Sequence, residues 1–114
     1  MTASPLNEKF STAKLSGVPE TLLIPLFARA METGRSDAIC RDPKAVEMVE
    51  RIDYDFSKFD ANTATTLGIA IRTRIFDDMA RAYIEQHPDC VVINIAAGLD
   101  ARFHRVDNGK LRWY

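Results

Sequence analysis

The sequence predicts an α/β fold, a set of helices leading into the first βαβ unit of a parallel sheet. Three observations carry this. Before residue 90 the apolar residues recur at helical spacing. At Cys90–Ile95 the pattern changes to a nearly continuous β-branched run, Val91, Val92, Ile93 and Ile95, that ends in the small-residue turn Ala96-Ala97-Gly98. A second turn signal, Asp107-Asn108-Gly109, then leads to Leu111–Tyr114, which reads as another strand. The divisions that follow are an N-terminal arm over 1–18, a helical region over 19–89 and the start of a sheet over 90–114.

In chain order, the arm is rich in small and polar residues and is expected to be mobile or draped over the body. Thr21–Thr33 is apolar with Pro25 at its centre. Proline lacks the backbone donor and suits a first helical turn, so a short turn to Ile24 and a helix restarting near Pro25 are expected, with Gly34 as C-cap. Leu22, Leu23, Leu26 and Phe27 are core candidates. Arg29 interrupts this apolar stretch. It lies on an exposed face, or packs its stem on the core, or presents a cation to an anionic ligand.

Asp42-Pro43 opens the next helix, the aspartate as cap and the proline at the first position. Val46, Val49 and Ile52 form its buried stripe, and Glu47 pairs with Arg51 on the outer face. In Asp53–Phe59 the aromatics Tyr54, Phe56 and Phe59 are expected to pack down. Asp53 and Asp55 read as solvated loop acids, a paired-carboxylate site being the sharper alternative. Asn62–Gln86 is the long helix, capped by Asp60 or Asn62 and ended by His87-Pro88. Its core stripe is read as Leu67, Ile71, Ile75, Met79 and Ala82 or Tyr83, with an Asp77–Arg81 pair outside. Arg72 stands about 100° from Ile71 around the axis and is either a structural ion-pair partner or a ligand clamp. The strand is expected to be covered on both faces.

Composition narrows the function classes. A net charge of -1 with scattered basic residues does not fit a phosphate-backbone binder, so no nucleic-acid partner is expected. No stretch approaches the roughly 18 apolar residues of a membrane span, and no secretory signal opens the chain. Two cysteines 50 positions apart, with no metal-ligand spacing, read as reduced thiols; a cytoplasmic protein without a metal is the expectation.

From the residues alone the turn after the strand is either a ligand site or an ordinary tight αβ connection. In open α/β sheets ligands bind beyond the carboxyl ends of strands, and small residues let backbone N–H groups approach them. Ala96, Ala97 and Gly98 supply such a turn, but Gly98 is its single glycine and Leu99-Asp100 follows, so a dinucleotide G-x-G-x-x-G cradle is disfavoured.

The run VVINIAAGLDARFHRVDNGKLRWY resembles the strand–turn motif of the leucine carboxyl methyltransferase-like family, which includes polyketide O-methyltransferases of the tetracenomycin type. Asn94, Gly98, Leu99, Asp100, Arg102, Phe103 and Arg105 occupy the motif positions. Upstream, PETLLIPLFARA, RDPKAVEMVERIDYDF and AIRTRIFDDMARAYIEQHP resemble the same family's N-terminal helices, so the likeness runs from about Val18 onward.

The resemblance implies a class I, Rossmann-like methyltransferase that uses S-adenosylmethionine, of which this chain is the truncated N-terminal portion. It implies that Ala96, Ala97 and Gly98 touch the methionine and ribose part of the cofactor, that Arg72 pairs with its carboxylate, and that Arg29 assists. Asp100 accepts from its ammonium or holds the turn by local hydrogen bonds. The acceptor would be a small molecule methylated on a carboxylate or hydroxyl oxygen; no catalytic base is assigned. Two departures stand out. Ala96 replaces the pattern's first glycine, and its methyl either crowds the cofactor or demands a φ value that alanine dislikes. The acidic segment that holds the ribose would come after Tyr114, so the isolated chain is expected to be inactive. A reading of a different class is a non-catalytic helical module of the same ancestry, self-associating through an unfinished sheet edge.

Overall fold

The computed structural model describes residues 10–11, 20–59 and 63–114. Its elements in order are β1 (Phe10–Ser11), α1 (Leu23–Thr33), α2 (Pro43–Arg51), β2 (Ile52–Asp53), α3 (Ala64–Gln86), β3 (Val91–Val92), α4 (Arg102–Val106) and β4 (Arg112–Trp113). Short 3-10 turns at Glu20–Leu22 and Phe56–Lys58 precede α1 and follow β2. The strands form two separate parallel pairs, β1 with β2 and β3 with β4.

α1 starts at Leu23, two residues before Pro25, because a missing N–H within the first turn costs no intrahelical bond. Gly34 caps its C-terminus with a right-handed φ of -76°, so the cap uses its N–H and not glycine's conformational freedom. α2 begins as expected: the Asp42 carboxylate accepts from Ala45 N and Pro43 follows at the first position. Leu23, Leu26, Ala30 and Ala45 form the core between α1 and α2, with Val46, Val49, Ile52 and Leu99 packed around it. The aromatics do pack down: Phe27 stacks on Phe56 at 5.4 Å, and Tyr54 meets Phe56 and Phe59 at 5.2 and 5.6 Å. Asp53 and Asp55 are exposed, and Asp55 caps the turn that follows by accepting from Ser57 N. Of the N-terminal arm, Phe10–Ser11 lies against Ile52–Asp53 in parallel register; the rest lies outside the described residues.

α3 departs from expectation in three ways. Thr63 is its N-cap, accepting from Thr66 N; the proposed caps Asp60 and Asn62 lie outside the described residues. The stripe read as core points to solvent, with Leu67, Ile71, Ile75, Met79 and Tyr83 all exposed. The opposite face, Ile69, Ala70, Thr73, Asp77 and Ile84, is the buried one. The reason is Asp77. Its charge is held by arginines of α4, which turns that face inward and leaves the apolar stripe outside. The expected Asp77–Arg81 pair is therefore absent, and Arg81 pairs with Asp78 at 3.3 Å instead.

The sheet is also less covered than a buried parallel strand would be. The ladder runs Arg112 N to Cys90 O, Tyr114 N to Val92 O and Asn94 N to Tyr114 O, so β3 is paired along one edge. Val91, Ile93 and Ile95 are exposed, Ile95 at 86%, which corrects the expectation of burial on both faces. On the covered face, Ile84, Val106 and Leu111 form a second core with Cys90, Phe103 and Trp113 around it. Gly109, at φ +76°, makes the turn into β4, with Asp107 and Asn108 carboxyl and amide oxygens accepting the local N–H groups. Both cysteines are free; burial pushes the Cys40 thiol up. No described helix is long and apolar enough to cross a membrane.

Two substitutions separate the faces. Leu26→Ala, in the fully buried α1 position, is expected to cost about 2–5 kcal/mol. Met79→Lys, on the exposed stripe, should stay within about 0.5 kcal/mol. Urea unfolding midpoints of the two variants measure the difference; a Met79→Lys loss matching Leu26→Ala would contradict the solvent-facing assignment.

Candidate functional site

Beyond the end of β3 the chain turns sharply through Ala96–Asp100. Ala96 has φ +54° and Gly98 φ +56°. Alanine in this left-handed region carries a penalty of about 1–2 kcal/mol, so the reservation raised by Ala96 is realised in the backbone. At Gly98 an added Cβ would come within 3.2 Å of the Leu22 side chain, so glycine there also serves close packing against the segment before α1. Asp100 N bonds to Ala97 O at 3.1 Å and closes the turn.

A cavity of about 540 Å³ lies over this turn, and all six residues singled out in the sequence line it: Arg29, Arg72, Ala96, Ala97, Gly98 and Asp100. Thr21 and Leu22 from the turn before α1 and Pro25 from its first turn, with Thr73 and Phe76 of α3, complete much of its wall. The topology explains the convergence. α3 runs past the carboxyl end of β3, and α1 packs on α3, so both helices reach the turn.

The six residues differ in what they can offer a ligand. Arg72 is exposed, and no described residue takes its guanidinium as an ion-pair or hydrogen-bond partner. Arg29 is buried at 6% exposure; its Nε donates to Asp42 Oδ2 at 2.9 Å and its Nη2 to the Leu99 carbonyl at 2.8 Å. It lies on no exposed face, which corrects that part of its sequence reading. Asp100 is engaged as well: Oδ2 accepts from Asn94 Nδ2 and Arg102 Nη1, both at 2.9 Å, and Oδ1 from Arg102 N at 3.1 Å. That is the turn-holding alternative drawn from its position.

Behind the turn runs a chain of charges, buried at Arg29, Asp42 and Asp77 and partly buried at Arg102 and Asp100. Asp42 accepts from Arg29 and from Arg105 Nη1 at 2.9 Å, Arg105 grips Asp77 at 2.6 Å, and Asp77 accepts from Arg102 Nε at 2.9 Å. Arg102 then returns to Asp100. Three arginines and three aspartates thus link α1, α2, α3, α4 and the turn, with charges balanced. Burial acts to raise the Asp77 carboxyl, but the hydrogen bonds and charges of Arg105 and Arg102 outweigh it and hold the carboxyl below its ordinary range. Burial likewise opposes the Arg105 charge, and Asp77, Asp42 and Asp100 more than restore it.

Asp42, Asp77, Arg102 and Arg105 had no site role in the sequence reading. Asp42 has the signature of a helix cap, which it also is, and Asp77 has a cationic neighbour at i+4. The one available signal was the pair Arg102 and Arg105 on a short helix directly after the turn. Among the described residues, no group of three or more His, Cys, Asp or Glu side chains is placed to hold a metal ion.

Comparison with known proteins gives a consistent picture. A sequence model described as leucine carboxyl methyltransferase matches residues 23–112. The tetracenomycin polyketide synthesis O-methyltransferase TcmP of Streptomyces glaucescens is 41% identical over 96 residues, 84% of this chain and 36% of that protein. The S-adenosyl-L-methionine-dependent methyltransferase dpfgK of Gibberella zeae is 34% identical, over 81% of this chain and 34% of its own length. A putative S-adenosyl-L-methionine-dependent methyltransferase of Mycobacterium tuberculosis is 33% identical, over 80% and 35% respectively. The chain therefore spans about a third of the length of the curated relatives it matches. No solved structure matches it with significance.

Two outcomes follow from the geometry. Ala96→Gly relieves a penalty of about 1–2 kcal/mol against a backbone-entropy loss of about 0.5–1 kcal/mol, so its urea midpoint should rise modestly. Asp77→Asn breaks a buried pair and should cost about 3–5 kcal/mol at neutral pH. Because the folded carboxyl of Asp77 titrates below its unfolded value of about 3.9, its stabilisation is complete above that value. It is lost as pH falls through the folded one. Stability measured from pH 6 to pH 2 should fall less steeply in Asp77→Asn than in the parent below about pH 4; parallel curves would remove Asp77 from the acid transition.

Proposed function

The chain belongs to the leucine carboxyl methyltransferase family, and from that premise we propose that its turn and Arg72 hold the amino-acid end of S-adenosylmethionine, as part of a small-molecule O-methyltransferase. The observation that carries this is the pairing, across one cavity, of the exposed and unengaged Arg72 guanidinium with the Ala96–Gly98 backbone. A guanidinium fork matches a carboxylate in bidentate fashion and stays charged at any working pH. The turn brings backbone within reach because Ala96, Ala97 and Gly98 put no large side chain in the way. When bound, S-adenosylmethionine supplies a methyl group on a sulfonium sulfur.

In this reading the chain's own residues bind and orient. Arg72 takes the carboxylate, and the turn backbone lies beside the methionine and ribose part. Asp100 keeps the turn in shape, since its oxygens already serve Asn94 and Arg102. Positioning of this kind lowers the barrier to transfer by fixing the reacting groups in advance. The acceptor in this reading is a carboxylate or hydroxyl oxygen of a small molecule; the family model is named for a carboxyl methyltransferase and TcmP for a polyketide O-methyltransferase. No base is assigned among the described residues, and we expect the chain to bind cofactor without turnover.

A second reading, a module that self-associates, is favoured by the exposed α3 stripe and the open β3 edge with Ile93 and Ile95. The two readings separate in solution. Titration of S-adenosylhomocysteine should raise the thermal midpoint of the chain, and Arg72→Ala should weaken that binding about tenfold or more, the usual loss for a charged hydrogen bond. No shift in the parent would count against the cofactor reading. A sedimenting dimer without such a shift would select the second. Transfer of labelled methyl by the chain alone would refute its expected inactivity.

A further inference from the structure

We propose that Arg29 is a positioning residue for the turn and makes no contact with the ligand, Asp42 being the anchor from which it acts; the functional part of this rests on the cofactor reading above. The guanidinium lines the cavity, yet it is turned away from it in bonding terms. One edge donates from Nε to Asp42 Oδ2 at 2.9 Å and another from Nη2 to Leu99 O at 2.8 Å. Both bonds leave one rigid plane, so the direction of the Leu99 carbonyl is fixed relative to the N-terminus of α2. Asp42 is itself immobilised: it is fully buried, its Oδ1 accepts from Ala45 N, and its Oδ2 also takes Arg105.

To reach a ligand Arg29 would have to leave both partners, stranding a buried carboxylate with a single arginine and the Leu99 carbonyl without its donor. Breaking buried pairs in this way is strongly unfavourable. The Leu99 side chain adds to the hold by packing on the Leu23–Leu26 core, and Leu22 closes over Gly98. The turn is thus fixed from the α1 side by Arg29 and from the α4 side by Arg102 through Asp100. Lysine cannot replace arginine here, because one ammonium cannot donate along both fixed directions of the guanidinium plane.

The test uses the full chain and three readouts. In Arg29→Lys, amide hydrogen exchange at Asp100 and Arg102 should quicken about tenfold or more while the α3 amides around Ala70 and Thr73 keep their parental rates. Equal acceleration everywhere, or a variant that does not fold, overturns the proposal, because it makes Arg29 a general structural residue. In the parent, the Arg29 Nε–H resonance should not move on saturation with S-adenosylhomocysteine, while that of Arg72 should; a shift at Arg29 overturns the proposal in favour of direct contact. Affinity for S-adenosylhomocysteine should fall in Arg29→Lys in step with the loosened turn, and an unchanged affinity refutes the functional role. If the parent does not bind S-adenosylhomocysteine, the cofactor reading fails by itself, and the exchange rates still decide whether Arg29 positions the turn.

Discussion

The buried run of alternating charges from Arg29 through Asp42, Arg105, Asp77 and Arg102 to Asp100 is the interaction on which the arrangement of this chain depends. Each link joins different segments, and each has the directionality of a hydrogen-bonded ion pair. Taking these charges wholly or largely out of water is expensive, and pairing them does not guarantee a net gain over apolar packing. What such pairing supplies is definition: a guanidinium satisfied at two or three fixed directions admits one relative placement of the helices that carry its partners. The apolar core between α1 and α2 has no such directionality.

That definition explains a trade visible in α3. Its buried face carries Thr73 and Asp77 beside Ile69, Ala70 and Ile84, while a more apolar stripe faces water. A helix oriented by hydrophobic burial alone would rotate the other way. The charged links prevail because an unpaired Asp77 inside the protein, with Arg102 and Arg105 left behind, costs more than exposing several apolar side chains. The same orientation keeps Arg72 on the outer side of the helix, beside the cavity and outside the charge network.

Element type was legible in the sequence wherever a local rule governs it: Pro43 behind Asp42, His87 before Pro88, Gly109 in its turn, and the β-branched run into Ala96. The strained backbone at Ala96 was legible as well, since alanine stands where the pattern has glycine. The six candidate site residues do line one cavity, but their roles were not legible. Arg29 and Arg72 are both arginines on helices, and only tertiary contacts, to Asp42 across 13 residues and to Leu99 across 70, show that the first is engaged by the protein. The inward face of α3 was misread for a related reason. Periodicity weighs side chains by hydrophobicity, whereas this face is chosen by long-range partners of Asp77 that periodicity does not see.

The lengths of the loops closed by these links bear on how the protein folds. Arg29 meets Leu99 across 70 residues, and Arg105 meets Asp42 across 63. The α1–α2 contacts, the turn into β4 and α3 itself are local and close cheaply, whereas these links carry the larger loop-closure cost of long separations. The cavity therefore depends on long-range closures and belongs to no helix pair alone. A ligand seated there would draw on the cohesion of the whole chain, and its binding would slow the escape of α4 and the turn from the body before any other part.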